Sequence, residues 1–358
     1  MRRCGGERFL SHRLGIYVDT VYHVAEPEGG VRVSADPVDG AFLLFAREVG
    51  AQFDRVVFFG RTVHGERPAD YVPLRGVDLV ELPHYESLRA LPTVLRATFG
   101  TIKSFWRGLA RVDTIWIYGP HPFSLLLVSL ALVRRRRIVL GVRQDTVPYY
   151  RGRLPNRRWT PFVLAAHGLD AAYRLLARSL KTTVVGPEIA RRYGLARRTV
   201  LPMTVSLIRA GDVVPEAASR DWSGTIELLS VGRLEPEKNP LLLVDALARL
   251  ERERPGRYRL TWFGQGQLRD AVLAYANASG VAHALDLRGF VSFGPDLLAF
   301  YRSAHLFVHV SLTEGVPQVL IEALASGTPI VATDVGGVAA TLDHGRAGLL
   351  VAPQNVDA

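Results

Sequence analysis

The sequence predicts an α/β protein of two domains, each built around a parallel β-sheet. Three observations predict this fold class. Apolar strand-like runs alternate with helical patterns along the chain, a polar segment interrupts the alternation, and 358 residues that are 48% hydrophobic can fill two cores of ordinary size. Alternating strands and helices are typical of βαβ units, whose strands pair in parallel.

The first domain is predicted to span residues 1–206. Its strand-like runs are residues 14–19, 55–61, 77–83, 114–120, 137–145 and 182–187. A long loop should connect the first run to a helix at residues 41–50. A long helical region at residues 87–111 should be broken or kinked at Pro92 and Gly100.

A polar segment at residues 207–224, which contains Pro215 and Gly224, is the predicted linker. Residues 225–358 form the predicted second domain, with strand-like runs at residues 226–233, 259–264, 284–291, 306–311, 329–335 and 347–353. The simplest architecture is two Rossmann-like domains that face an inter-domain cleft.

The composition argues against several classes of protein. The single cysteine, Cys4, allows no disulfide bond within the chain, and no cysteine–histidine cluster suggests a metal site, so a reducing cytoplasm is expected. The basic first residues are not followed by the apolar segment of a signal peptide. The net charge of +10 comes mainly from arginine, and no basic helix carries a DNA-binding pattern, so nucleic acid is not an expected partner.

The first candidate site is the segment EGVPQVLIEALASGT, which begins at Glu314 and contains Glu322. An apolar run before it predicts a strand, and apolar residues at helical spacing that end at Gly327 predict a helix. We therefore expect Glu314 at the carboxyl end of a strand and beside a helix N-terminus, with Glu322 two turns into the helix. Ligands of open α/β sheets bind at such a place, where backbone N–H groups favour anions.

The second candidate site is VGRLEPEKN at residues 231–239, which contains Arg233 and Lys238. The forked donors of an arginine and the point charge of a lysine suit a diphosphate. The alternative interpretation is a pair of surface cations, but cations at a helix N-terminus oppose the helix dipole unless an anion lies between them. Taken singly, each glutamate is more simply a capping or exposed residue, whereas the four residues together favour a binding site.

The two glutamates within EGVPQVLIEALASGTPIVATDVGG resemble the motif of the retaining GT-B glycosyltransferases of the family 4 type, also called glycosyl transferases group 1. This resemblance implies a GT-B fold and transfer of a sugar from a nucleotide-diphosphate donor. Arg233 and Lys238 would bind the donor phosphates, Glu322 the ribose hydroxyls and Glu314 the transferred sugar. The backbone that would line the sugar and phosphate belongs to Gly315, Val316, Pro317, Gln318 and Val319. Pro317 stands where glycine is often found and removes one N–H donor.

Two further donor contacts follow from the same resemblance. Phe290 matches the strand end where the base docks, although a core role for this ring is equally consistent with the sequence. Gly30 matches a glycine loop that approaches the donor phosphates, and an ordinary turn is the alternative. The Gly264–Gly266 segment carries only a weak GxG signal.

One departure from the family pattern lies at residues 141–145. Many members carry a histidine after this strand, near the transferred sugar, whereas this chain has Arg143, Gln144 and Asp145. Asp145 is the candidate base or hydrogen-bond acceptor. His121 and Arg61 lie at neighbouring strand ends, where such residues are more often structural. The sequence contains no Asp-x-Asp pair, so no metal site and no cofactor are expected, and cations would neutralise the leaving group.

A helical stripe in the first domain allows two interpretations. Apolar residues recur at helical spacing beside arginine and lysine; they are Leu95, Phe99, Ile102, Trp106 and Leu109. The stripe could be the core face of a βα helix, which is the commoner case, or a basic amphipathic surface that contacts an anionic membrane.

The predicted function is that of a hexosyltransferase-type enzyme in polysaccharide biosynthesis, which moves a sugar to a glycan, lipid-linked or small-molecule acceptor with retention. Two alternatives remain open: a non-catalytic module that binds a nucleotide sugar, and a GT-B-like epimerase or hydrolase. A nicotinamide dehydrogenase is disfavoured because no GxGxxG follows the first strand. Family members continue into C-terminal helices beyond the last strand, so this sequence is expected to lack them or to be a fragment.

Overall fold

The computed structural model describes residues 12–25, 32–35, 37–65, 72–74, 78–85, 91–143, 160–217 and 219–357. The chain divides into two compact units, Met1–Met203 and Thr204–Ala358. The segment predicted as a linker packs within the second unit, where the Val214 N–H donates to the Ala325 carbonyl at 2.9 Å.

The described part of the first unit forms one nine-stranded sheet. Its strands are β1 (Arg13–Ala25), β2 (Arg32–Ala35), β3 (Arg55–His64), β4 (Val72–Leu74), β5 (Asp78–Leu82), β6 (Thr114–Gly119), β7 (Arg137–Val142), β8 (Lys181–Val185) and β9 (Val200–Met203). A parallel core runs in the order β5-β3-β1-β6-β7-β8-β9.

The prediction of a long loop after residue 19 is wrong for its first residues. β1 continues to Ala25, and its last residues pair antiparallel with β2, as in the register Tyr22 to Ala35. β2 also pairs antiparallel with β4. Residues 20–25 alternate between buried and half-buried positions, so this extension satisfies the backbone hydrogen bonds that a loop would have left to solvent.

In the part of the first unit that the structure describes, the helices are α1 (Pro37–Gly50), α2 (Leu91–Gly108), α3 (Pro122–Val133), α4 (Thr160–Leu176) and α5 (Pro187–Tyr193). The predicted break at Pro92 and Gly100 is wrong, because α2 is continuous through both. Pro92 lies in the first turn, where a missing N–H costs no helical hydrogen bond. Among the described residues, no helix is both long and apolar enough to cross a membrane.

The second unit is a six-stranded parallel sheet with the order β12-β11-β10-β13-β14-β15. Its strands are β10 (Ile226–Val231), β11 (Tyr258–Phe263), β12 (Leu285–Gly289), β13 (Leu306–His309), β14 (Ile330–Thr333) and β15 (Leu349–Val351). Its helices are α6 (Pro240–Glu253), α7 (Arg269–Ala278), α8 (Pro295–Ser303), α9 (Gln318–Ala325) and α10 (Val338–Thr341).

Helices cover both faces of this second sheet. One core packs Leu243 and Leu247 of α6 against β11, and the other packs Tyr301 of α8 and Leu320 of α9 against Phe307 of β13. The chain moves outward in one direction from β10 and in the other from β13. The carboxyl ends of these two neighbouring strands are therefore the topological switch point, where open α/β sheets form a ligand-binding crevice.

Helix α2 contacts its own sheet through an unexpected face. Ala97, Thr101 and Phe105 are buried, at helical spacing, and the Phe105 ring packs edge-to-face on Phe59 at a centroid distance of 5.2 Å. Phe99, which belongs to the predicted apolar stripe, is 76% exposed. The core-face interpretation of the stripe is therefore wrong for its N-terminal half.

A pair of variants tests which face of α2 stabilises the fold. Phe105→Ala should lower the free energy of unfolding by about 3–5 kcal/mol, because it opens a cavity beneath a fully buried ring. Phe99→Ala is the matched control on the opposite face and should change it by no more than about 0.5 kcal/mol. Denaturant unfolding of both proteins measures the difference, and equal losses would contradict the assigned core face.

Candidate functional site

Lys238 and Glu314, which are distant in sequence, meet at the switch point. The Lys238 Nζ lies 2.5 Å from the Glu314 Oε1. Lys238 ends the one-turn 3₁₀ helix Pro236–Lys238 after β10, and Glu314 lies in the connection between β13 and α9. Because β10 and β13 pair in parallel, these two connections emerge side by side.

Backbone contacts fix both connections. The Leu312 N–H donates to the Glu237 carbonyl at 2.8 Å, which joins the loop after β13 to the turn after β10. Asn239, which follows Lys238, has a φ of 50° and starts α6 from a left-handed conformation, so the chain reverses sharply there. The backbone at Lys238 is thus fixed by hydrogen bonds within the turn and to the loop after β13.

Glu314 is a buried carboxylate in contact with Lys238 and His309. Its side chain is only 10% exposed, and the Nε2 of the buried His309 lies 3.0 Å from the same Oε1, although its N–H is not well directed for a hydrogen bond. Burial acts to raise the pKa of Glu314, but the contacts with His309 and Lys238 outweigh it and lower the pKa to about 2. At neutral pH this group is therefore an ionised hydrogen-bond acceptor and not a proton donor.

Two glycines on the loop after β14 support the backbone of Glu314. The Gly337 N–H donates to the Glu314 carbonyl at 3.3 Å. Gly336 has a φ of +52°, and a Cβ there would collide with the Glu314 carbonyl oxygen, just as a Cβ on Gly337 would collide with that of Gly315. The two loops therefore pack backbone against backbone, which only glycine permits.

Glu322 lies on α9 and has a different environment. Because α9 begins at Gln318, Glu322 is in the second turn, and the buried Tyr301 hydroxyl donates to its Oε2 at 2.9 Å. Burial raises the pKa of Glu322 to about 7, and the hydrogen bond from Tyr301 opposes this only in part. Glu322 therefore changes its charge near neutral pH.

Arg233 is the more exposed of the two candidate cations. Its side chain is 40% exposed, and its Nη2 lies 2.6 Å from the Glu237 Oε1 within the turn that ends at Lys238. The Leu234 N–H donates to the Gln265 carbonyl at 2.9 Å, so the loop after β11 braces this segment. Gly264, with a φ of +148°, lies against the Gly232 carbonyl, so the weakly signalled GxG segment has a structural role here.

The remaining donor-site candidates in the second unit lie on the same edge of the sheet. Gly315 is exposed and Pro317 caps α9, while the side chains of Val316, Gln318 and Val319 are half-buried. Phe290 follows directly after β12 and is half-buried. It lies outside the two hydrophobic cores described for this unit.

Two predicted first-domain residues, Gly30 and Asp145, lie outside the described residues. At the described edge of that sheet, Arg61 and His121 both approach Asp19, with Arg61 Nε at 3.2 Å and His121 Nε2 at 3.4 Å. The Tyr85 hydroxyl donates to the same carboxylate at 2.9 Å. Burial lowers the pKa of His121 more than Asp19 raises it. Arg61 and His121 thus form a polar network that the sequence did not reveal.

Sequence reasoning missed several residues that shape the site. His309 was visible only as one polar residue in an apolar strand, Tyr301 as one aromatic residue in a helix, and Gly336 as part of a motif without an assigned role. Each acts through a neighbour distant in sequence. Within the described ranges, no group of three or more His, Cys, Asp or Glu side chains could hold a metal ion.

The second unit is similar to a family of known proteins. Residues 225–358 match the family described as Glycosyl transferases group 1. The chain is 36% identical over 195 residues to the D-inositol 3-phosphate glycosyltransferase of Pseudarthrobacter chlorophenolicus, a match that covers 51% of this chain and 44% of the relative. The match thus spans less than half the length of this curated relative.

Solved structures resemble the chain over nearly its whole length. Sucrose-phosphate synthase of Thermosynechococcus elongatus is similar with a TM-score of 0.67 and 18% identity, over 97% of this chain and 87% of that one. HepE of Anabaena, solved in complex with UDP and glucose, has a TM-score of 0.62 and 14% identity, over 96% of this chain and 86% of that one. The predicted fold class is confirmed: the two α/β units have the GT-B fold.

The pKa of Glu322 predicts a pH-dependent gain in stability from Glu322→Gln. The folded protein retains a proton that the unfolded chain releases near pH 4.5, so the wild type loses stability as the pH rises from there to about 7. Glutamine keeps an acceptor for Tyr301 and does not titrate. The difference in unfolding free energy, variant minus wild type, should rise by about 2–3 kcal/mol between pH 5 and pH 8.5.

Denaturant titrations at the two pH values measure this difference, and Glu253→Gln, at an exposed glutamate of α6, is the matched control. A difference for Glu322→Gln that is the same at both pH values would show that the carboxyl is not held protonated by burial.

Proposed function

We propose that this protein is a glycosyltransferase of the hexosyltransferase type, which transfers a sugar from a nucleotide-diphosphate donor to an acceptor with retention of the anomeric configuration. The observation that carries the proposal is the contact between Lys238 and Glu314 at the switch point of the second sheet. In this contact a lysine, which would bind the donor phosphates, lies beside a carboxylate, which would bind the sugar hydroxyls.

Arg233 and Lys238 would bind the diphosphate. Both follow β10 on one braced segment, and the N-terminus of α9 adds backbone N–H groups close to Glu314. In the transition state the bond between the sugar and the diphosphate breaks, and negative charge develops on the leaving phosphate oxygen. Fixed cations stabilise that charge more than they stabilise the intact donor, which is the condition for catalysis.

Glu314 would orient the transferred sugar. Its low pKa keeps it ionised, so it can accept hydrogen bonds from sugar hydroxyls but cannot protonate a leaving group. Lys238 would then be shared between this carboxylate and the phosphates. The contact with His309 keeps the anion stabilised while the lysine turns toward its ligand.

Glu322 would bind the ribose, since a carboxylate accepts two hydrogen bonds from a vicinal diol. Its pKa of about 7 makes this contact sensitive to pH, because the protonated form loses an acceptor. Phe290, at the end of β12, would pack against the base. HepE was solved in complex with UDP and glucose, so a uridine nucleotide is the first donor to test.

In this proposal, residues of the first unit bind the acceptor. Asp145 is the candidate base or acceptor-binding residue, and Gly30 is the candidate for approach to the donor phosphates. The acceptor would be a glycan, a lipid-linked sugar or a small molecule, and the reaction would take place in the cytoplasm. Because the relative from Pseudarthrobacter is a D-inositol 3-phosphate glycosyltransferase, phosphorylated polyols are included in the acceptor panel.

Substitution of the two cations tests the proposal. Arg233→Ala and Lys238→Ala should each lower turnover by about 10²-fold, because each removes a charge that stabilises the leaving diphosphate. Arg233→Ala should change the unfolding free energy by less than about 1 kcal/mol, because its ion pair with Glu237 joins two partly solvent-exposed side chains within one turn. Release of nucleoside diphosphate, with and without an acceptor panel, is the measurement.

The matched control is Arg254→Ala, which removes an exposed cation at the opposite end of α6. Unchanged transfer and donor hydrolysis in both cation variants would contradict the proposed role. Donor binding without any turnover in the wild type would instead favour a non-catalytic sugar-nucleotide module.

A further inference from the structure

Helix α2 exposes two large apolar side chains in its N-terminal half. Leu95 and Phe99, one turn apart, are 62% and 76% exposed, while Ala97 and Thr101 on the inner face are buried. A soluble helix normally shows the reverse distribution, because large apolar side chains gain most from burial. No contact within the described part of the protein covers Leu95 and Phe99, so their exposure suggests a partner outside the chain.

Close packing prevents the helix from rotating to bury the stripe. A Cβ on Gly100 would lie 2.6 Å from the Pro83 ring, and Gly108 lies directly against Phe59 and Val80. These small residues let α2 approach β5 closely, and no room remains beneath them for a larger side chain. The exposure of Phe99 is thus built into the fold.

The end of α3 extends the same surface. Leu132 and Val133 are exposed in its last turn, and the Arg134 guanidinium, which follows them, lies 4.2 Å above the Trp106 ring of α2. We call the combined feature the α2–α3 surface and define it by four exposed apolar residues and two exposed cations: Leu95, Phe99, Leu132, Val133, Arg96 and Lys103.

The charged side chains of helices α2 and α3 and of the turn after α3 are all basic. Residues 91–112 and 120–142 contain no aspartate or glutamate, whereas Arg96, Lys103 and Arg107 are exposed along α2. A second copy of the chain on this face would bring like charges together, which disfavours self-association. The complementary partner is therefore negatively charged, and it must also accept apolar side chains.

The shape of the α2–α3 surface favours one class of negatively charged partner over another. The apolar residues stand on the convex outer side of a helix, so they can penetrate a soft, planar surface. Nucleic acid offers phosphates but no apolar layer for leucine and phenylalanine. A bilayer offers both, since an interfacial helix places its apolar side chains at the boundary of head groups and acyl chains while its lysines and arginines contact anionic lipid.

We propose that the α2–α3 surface binds the surface of an anionic phospholipid bilayer, with Leu95, Phe99, Leu132 and Val133 at the acyl boundary and Arg96 and Lys103 at the lipid phosphates. This contact is peripheral and crosses no membrane. It goes beyond the proposed sugar transfer and does not depend on it, because every residue of the surface lies in the first unit and none belongs to the candidate donor site.

Vesicle co-sedimentation of the full chain tests the proposal. The wild type should bind vesicles of phosphatidylglycerol and phosphatidylcholine at least tenfold more tightly than vesicles of phosphatidylcholine alone, and added salt should weaken the binding. Each basic residue near a charged membrane contributes about 1 kcal/mol, which is about fivefold, so Arg96→Glu with Lys103→Glu should weaken binding at least 25-fold. Leu95→Ser with Phe99→Ser should weaken it at least tenfold.

Matched variants in the second unit control for these changes. Leu349→Ser alters an equally exposed leucine, and Arg252→Glu with Arg254→Glu reverses two exposed charges. Both should bind vesicles as the wild type does. Thermal unfolding should be unchanged in the α2 variants, because their side chains are exposed.

Tryptophan fluorescence tests whether the side chain at position 99 inserts into the bilayer, separately from the electrostatic attraction to lipid phosphates. The wild type already contains five tryptophans, so the effect is read as a difference from the wild type. On anionic vesicles, Phe99→Trp should show a larger shift of emission to shorter wavelength and stronger quenching by brominated lipid than the wild type, whereas Leu349→Trp should add neither. Retained vesicle binding by both α2 double variants would overturn the proposal, as would the absence of quenching at position 99. A dimer that Leu95→Ser with Phe99→Ser converts to a monomer, without vesicle binding by the wild type, would assign the surface to self-association instead.

Discussion

The ion pair between Lys238 and Glu314 is the contact on which the candidate site depends. It joins the turn after β10 to the loop after β13. These two connections leave the sheet in opposite directions, so the ion pair lies at the topological switch point, where open α/β sheets bind ligands. His309 lies beneath the pair, and Gly336 packs against the Glu314 backbone. The site is thus held before any ligand arrives, which limits the ordering that binding must impose.

The chemistry of the site follows from the two different environments of its carboxylates. Glu314 lies beside Lys238 and His309 and stays ionised, whereas Glu322 accepts a hydrogen bond from the Tyr301 hydroxyl and is protonated over part of the neutral range. Two glutamates in one motif therefore have distinct roles, and their charge states are set by neighbours rather than by the motif. The α2–α3 surface adds a separate property, since it lies in the other unit and involves none of these residues.

Much of the second unit could be predicted from the sequence, because its strands, its glycines and its charged motifs lie in short, regular segments. The contributions of His309 and Tyr301 could not, since each depends on a partner many residues away. Helix α2 shows the limit of periodicity. Two rows of residues on this helix have the same spacing, one with Leu95 and Phe99 and the other with Ala97 and Thr101. The row with the smaller side chains, Ala97 and Thr101, faces the sheet because small residues allow close approach. Gly30 and Asp145 stay predictions.

Calorimetric titration of the full chain with nucleoside diphosphates and their sugar conjugates tests the central claim most directly. At least one nucleotide should bind with one site per chain, and Lys238→Met, which retains the alkyl stem, should weaken that binding by about 30-fold, since a charge-assisted hydrogen bond to phosphate contributes about 2 kcal/mol. Failure of every nucleotide to bind, or equal affinity in the wild type and Lys238→Met, would contradict the assignment of a donor site to the contact between Lys238 and Glu314.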